Sequence, residues 1–200
     1  FYKQVLGISS KSQGFNNQYE FIAASGDYRV LGSELLLQKS FAKCYSWISY
    51  TYNDNRYDFK DFSPSGFVNN NSISHAIGWA GIYEWQRLRL ALGARWHSGS
   101  PYTAPVGYAF DPNPINSKIQ YGTANAQRLE DFFQMNFSAS HRWDLAKNTA
   151  LSASISLWNI FDKKNKIGRY YRINPLLNTA ESVDTYALGF TPNVGLKIVF

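Results

Sequence analysis

Between residues 128 and 161 apolar and polar side chains alternate almost without a break. Phe133, Met135, Phe137 and Ala139 fall on one side of the first run, and Gln134, Asn136, Ser138, Ser140 and Arg142 on the other. In the second run Leu151, Ala153, Ile155 and Leu157 alternate with Ser152, Ser154 and Ser156. A period of two suits a strand with one apolar face and excludes an amphipathic helix. The polar link at 144–149 joins the runs as an antiparallel hairpin. Each run is about ten residues, the length a tilted strand needs to cross a bilayer. The polar face is small and hydroxylated, as a water-facing barrel interior would be. The apolar face carries Phe, Leu and Ile, with Trp143 and Trp158 near its ends, like the aromatic girdles of membrane barrels. A soluble β-sandwich alternates too.

The rest of the chain separates these two readings. Strands are expected at 1–8, 29–41, 44–57, 73–83, 87–97 and 194–200, in addition to the central pair. At 87–97, Leu88, Leu90, Leu92, Ala94 and Trp96 oppose Arg87, Arg89, Arg95 and His97. Around 44–57 aromatic residues occupy both parities, so the faces stay unassigned there. Short links at 42–43, 84–86 and 144–149 alternate with long ones at 9–28, 58–72, 98–128 and 162–192. Outer-membrane barrels have short periplasmic turns and long extracellular loops; a sandwich has no reason to place every long link at one end. The expectation is an all-β, antiparallel transmembrane β-barrel segment of eight strands, spanning 1–200 as one unit.

Composition adds limits. Charged residues make up 17% and aromatic residues 17%. No apolar run approaches the ~18 residues of a spanning helix. The net charge of +6 raises the question of nucleic acid, but the densest basic group is only Lys163, Lys164 and Lys166, and no basic stripe or motif accompanies it. Lipopolysaccharide or a basic lumen suits this balance better. Cys44 is the only cysteine, so no disulfide forms within the chain. The opening residues carry no signal peptide and read as mid-strand.

Several stretches resemble TonB-dependent outer-membrane receptors, in family order. They are Gly32-Ser-Glu-Leu-Leu-Leu, Ser49-Tyr-Thr-Tyr, Ser98-Gly-Ser-Pro-Tyr-Thr, Arg128-Leu-Glu-Asp-Phe and Asn159-Ile-Phe-Asp-Lys-Lys-Asn, with a terminal Phe200. The Asn-, Tyr- and Lys-rich style is similar to receptors of Bacteroidota. The resemblance implies the last eight strands of a 22-stranded, plugged barrel, without the plug domain or TonB box. It further implies uptake of a scarce nutrient such as a siderophore, cobalamin or an oligosaccharide. Implied partners are outer-membrane lipid and lipopolysaccharide, the remaining barrel and plug, and the TonB complex through the missing N-terminal part. A self-contained eight-stranded barrel acting as adhesin or structural protein is the alternative, and a lipid-substrate barrel enzyme a more distant one. By the same resemblance, Phe200, with Leu196 and Ile198 on the last alternating strand, corresponds to the signal read by the assembly machinery.

No nucleophile–base motif is present, so no catalytic residue and no cofactor is expected. Ser98-Gly-Ser-Pro reads as a strand-end turn. His75, His97 and His141 lie on different strands. Asp54, Asp58 and Asp61, and separately Asp111, are oxygen donors near loops but lack the spacing of a calcium hand. Recognition belongs to the loops and the lumen. The candidates there are Tyr102, Tyr108 and Tyr121, which can stack on a ligand or on one another, together with Arg95, His97 and Arg128.

Overall fold

The computed structural model describes residues 2–14, 19–60, 65–113, 117–174, 176–177 and 179–200, with side chains from Ser25 onward. The chain is all-β and antiparallel. Eight long strands follow one another in chain order across the main sheet: β1 (Tyr2–Gly14), β2 (Tyr19–Phe41), β3 (Cys44–Asp58), β5 (His75–Trp85), β6 (Leu88–His97), β11 (Phe132–Ala146), β12 (Thr149–Trp158) and β15 (Thr191–Val199). Further strands lie in the connections: β4 (Gly66–Val68), β7 (Pro101–Tyr102), β8 (Pro105–Ala109), β9 (Lys118–Tyr121), β10 (Gln127–Arg128), β13 (Lys166–Asn174) and β14 (Thr179–Tyr186). Two-residue turns at 42–43, 86–87 and 147–148 close one end. Ala42 and Gln86 take φ of 49° and 56° there, the left-handed region that a tight hairpin turn demands. All the long connections lie at the other end.

The register carries the alternation of the central hairpin across the sheet. Leu37, Ile48, Trp79, Ala94 and Met135 follow one another from strand to strand. Two residues toward the long connections, Leu35, Tyr50, Ile77, Trp96 and Phe133 do the same. Nearer the short turns Leu90, Ala139, Ile155 and Val194 form a further row of the same face. The opposite face carries Glu34, Thr51, Gly78, Arg95, Gln134, Ser138, Ser156 and Asn193. The faces of β3 are thereby assigned: Cys44, Ser46, Ile48, Tyr50 and Tyr52 share the apolar side, and Tyr45 and Trp47 the polar one. Trp158 is a correction, since it pairs with Thr191 beyond Ser156 and so belongs to the serine face. Its even position in the alternation already placed it there.

The apolar face is bare. Leu35, Leu37, Phe41, Val194 and Leu196 are all more than half exposed. A sandwich would cover this face with a second sheet about 10 Å away; the other sheets among the described residues are the two-stranded pairs β7–β10 and β13–β14. The buried core instead sits at the long-connection end, in Phe59, Ile119, Leu129, Phe132 and Tyr171, with Asn159, Asn165, Ser72 and Ser117.

The long connections are more ordered than their composition suggests. The stretches expected as loops at 9–28 and 162–192 are largely strand: β1 and β2 pair up to Gln13 and Tyr19 with one irregularity at Ser10/Ser12, and β13 pairs with β14. The 98–128 stretch holds β7 to β10, and the 58–72 stretch holds β4. A ladder with no apolar side to present needs no alternation, so its Ser, Asn and Gly content reads as loop. Proline is tolerated at a strand's first residue or on an edge, which is where Pro101, Pro105 and Pro192 lie.

Candidate functional site

The long-connection end gathers aromatic and charged side chains into two groups. The first sits where β6 meets β11. His97 is the last residue of β6 and is buried. Its ring lies parallel to Phe132, centroids 4.6 Å apart. Its Nδ1–H donates to the Ser98 carbonyl at 2.9 Å, which fixes the tautomer when neutral. Arg95, two residues earlier on the same face, reaches to 6.0 Å above Phe132. The Ser98 hydroxyl accepts the His75 backbone N–H at 3.2 Å.

The second group is assembled around Arg169 of β13. Its guanidinium grips Asp184 of β14 through two hydrogen bonds of 2.6 and 2.9 Å. It also lies 5.3 Å over the Tyr102 ring and donates to the Tyr102 hydroxyl at 3.3 Å. Tyr171 meets Tyr121 edge-on at 6.3 Å, and burial pushes the Tyr171 hydroxyl above the usual tyrosine range. Tyr102 and Tyr121 are therefore brought into one cluster with two residues that sequence reasoning missed, Arg169 and Tyr171. Lys166 joins it by bonding Glu130 at 2.8 Å and lying 3.5 Å from Asp184. A cation held among phenol rings offers stacking surfaces beside a charge, suited to sugar or aromatic rings with polar edges.

Tyr108 is exposed and stacks on Phe110 with centroids 5.8 Å apart. Arg128 is engaged as a clamp between connections: it donates to the Ser72 and Gly99 carbonyls at 3.0 and 2.9 Å and to the Ser74 hydroxyl at 2.9 Å. Asn125 links the same segments through Val68, Asn70 and Thr103. Among the described residues no three His, Cys, Asp or Glu side chains converge as metal ligands. Asp61 lies outside them. The Asp111 side chain accepts the Asn113 N–H at 2.8 Å.

The stretch Asn159-Ile-Phe-Asp-Lys-Lys-Asn is a fastening. Asn159 is almost fully buried; its amide donates to Lys163 and Leu188 carbonyls and accepts the Lys163 N–H. Asn165 bonds both the N–H and the carbonyl of Phe133 at 2.9 and 2.8 Å, as a neighbouring strand would. Asp162 accepts the Phe190 N–H, which with Lys164 holds its carboxyl below the usual range.

The charge pairs of the β13–β14 hairpin have a pH consequence. Hydrogen bonds from Arg169 and Lys166 hold the Asp184 and Glu130 carboxyls below their ordinary range, and Glu130 raises Lys166 above its own. A depressed carboxylate contributes stability that is present above its unfolded pKa and lost as pH falls through the folded value. The raised Lys166 contributes in the same direction up to the ordinary lysine range. The hairpin should stay closed across neutral pH and loosen below about pH 4. A spin label at exposed Leu177 should sharpen its spectrum between pH 5 and pH 2.5, and in Asp184→Asn should be sharper already at pH 7. An unchanged line shape would remove these pairs as the force that closes the hairpin.

No protein-family model, curated protein or solved structure matches the chain.

Proposed function

We propose that this chain is the C-terminal wall of a TonB-dependent receptor in a bacterial outer membrane, serving active uptake of a scarce nutrient such as a siderophore, cobalamin or an oligosaccharide. The observation that carries this reading is the bare apolar face, continuous across long strands laid down in chain order. Water does not tolerate so large an exposed apolar surface without a partner, and lipid supplies one. The two-residue turns then face the periplasm and the long connections face outward. The aromatic–cation cluster around Arg169 stands where an external ligand arrives, and Arg95 and His97 lie at the upper end of the lumenal face.

The edges support a larger barrel. Among the described residues β15 pairs only with β12, and β1 between Tyr2 and Ser10 only with β2. In hydrocarbon each unpaired backbone group costs several kcal/mol, so both edges require partners, which the remaining strands of such a receptor would supply. The second reading is that β1 and β15 pair with each other in a self-contained eight-stranded barrel. An even count of eight long strands favours it.

The intact mass of the polypeptide carried in purified outer membranes separates the two. The receptor reading expects a mass several times 22.8 kDa. A mass near that value would establish the small barrel, and absence from the outer membrane would overturn both.

A further inference from the structure

Near the two-residue turns the apolar face is not flat. Four neighbouring strands leave a depression of about 350 Å³ there. Its floor is made by register partners: Ser46 opposite Gly81, Gly81 opposite Leu92, and Leu92 opposite Phe137. Trp79, Tyr83 and Leu90 form its walls. Gly81 keeps it open, for a Cβ there would come within 3.2 Å of the Trp79 indole.

The polar atoms of the floor are already used. The Trp79 Nε1–H donates to the Ser46 hydroxyl at 3.1 Å, and that hydroxyl donates to the Ala80 carbonyl at 3.1 Å. The groove therefore offers a guest hydrocarbon contact only. Its rim is cationic. Lys39 is the register partner of Ser46 on the same face, and its ammonium lies 5.9 Å from the Phe41 ring, toward the turn. Lys43 sits in that turn, just before Cys44. The nearby acid Glu84 pairs with Arg89 on the opposite face, and Arg87 is taken by Asp144 at 2.7 Å.

We propose that this groove seats one acyl chain of an anionic phospholipid, with the headgroup phosphate held between Lys39 and Lys43. The inference rests on the membrane reading above and deepens it. An apolar trough flanked by Lys39, whose ammonium leans toward the turn, and by Lys43 in that turn matches a lipid at the interface, where lysines bury their stems and keep their charge at headgroup level. Its place beside the short turns selects a phospholipid of the inner leaflet.

The test uses protein extracted from cell envelopes and re-inserted into vesicles of equimolar phosphatidylglycerol and phosphatidylethanolamine. Flotation first reports insertion; native mass spectrometry then reports retained lipid. Wild type should retain phosphatidylglycerol in preference, and Lys39→Gln with Lys43→Gln should lower that preference about tenfold or more. Gly81→Leu, which fills the trough, should reduce retention of both lipids. Protein that floats but shows no preference, or a Gly81→Leu variant that retains lipid like wild type, would overturn the groove assignment alone. Protein that does not insert would overturn the membrane reading and this inference with it.

Discussion

Ile155→Arg is expected to destabilise the membrane-inserted protein by about 2–4 kcal/mol, whereas Ser154→Arg, one residue away, should cost less than about 1 kcal/mol. Ile155 lies on the apolar face between Ala139 and Val194, and is 41% exposed. On the membrane reading, an arginine there would face lipid. Ser154 lies on the other face between Ser140 and Gly195. Its neighbours are small, so an arginine has room to reach water. Urea unfolding of both variants in lipid vesicles measures the difference. Equal costs would mean that the two faces see the same solvent, and the membrane reading would fail on that result.

Asn159→Ala should cost about 2–4 kcal/mol, though its side chain touches no ligand candidate. Alanine would orphan the Lys163 N–H and the Lys163 and Leu188 carbonyls, all held now by one buried amide. It would also sit less easily at φ 51°, a conformation that asparagine tolerates better than most. Asn159→Gly separates the two causes by relieving the backbone while still losing the bonds. Asn159→Asp keeps the shape but turns a carboxylate toward two carbonyls, and should be no better than alanine. Thermal unfolding, with protease cleavage at 176–177 as a local readout, checks the series. A loss below about 0.5 kcal/mol for alanine would show that the connection is fastened elsewhere.

These expectations differ in how readily the residues announced them. The strands of the main sheet were legible because one face is mostly apolar: Leu88 to Trp96 and Leu151 to Leu157 show the period of two directly. Faces failed to resolve only at β3, where Tyr45 and Trp47 put aromatic rings on the polar side. The β13–β14 hairpin was missed because neither of its faces is consistently apolar. Its signal was charge symmetry instead. Arg169 and Asp184, and likewise Arg172 and Glu181, stand equally far from the 176–177 turn and pair across it. The cluster at Tyr102 and Tyr121 needed that hairpin, so its cation stayed hidden with it. Asn159 and Asn165 read as turn punctuation. Nothing local distinguishes an amide that caps a turn from one that binds a strand 32 positions away, as Asn165 binds Phe133.

On the transport reading proposed above, the pairing of β9 with β1 bears on passage. β9 belongs to the connection between β6 and β11, yet Ile119 and its neighbours bond to β1 at Ser12 to Gly14. Along the sheet β1 and β6 are separated by β2, β3 and β5, four strand spacings or about 19 Å. The connection therefore runs as a girder from one flank of the rim to the other, fixed at its far end by main-chain hydrogen bonds. A flap hinged only at its root could swing aside for a bulky guest; a beam anchored at both ends sets a clearance. If the chain lines a transport path as proposed, the largest object that passes beneath it is decided by backbone architecture, while the side chains along the way decide only which smaller objects are held.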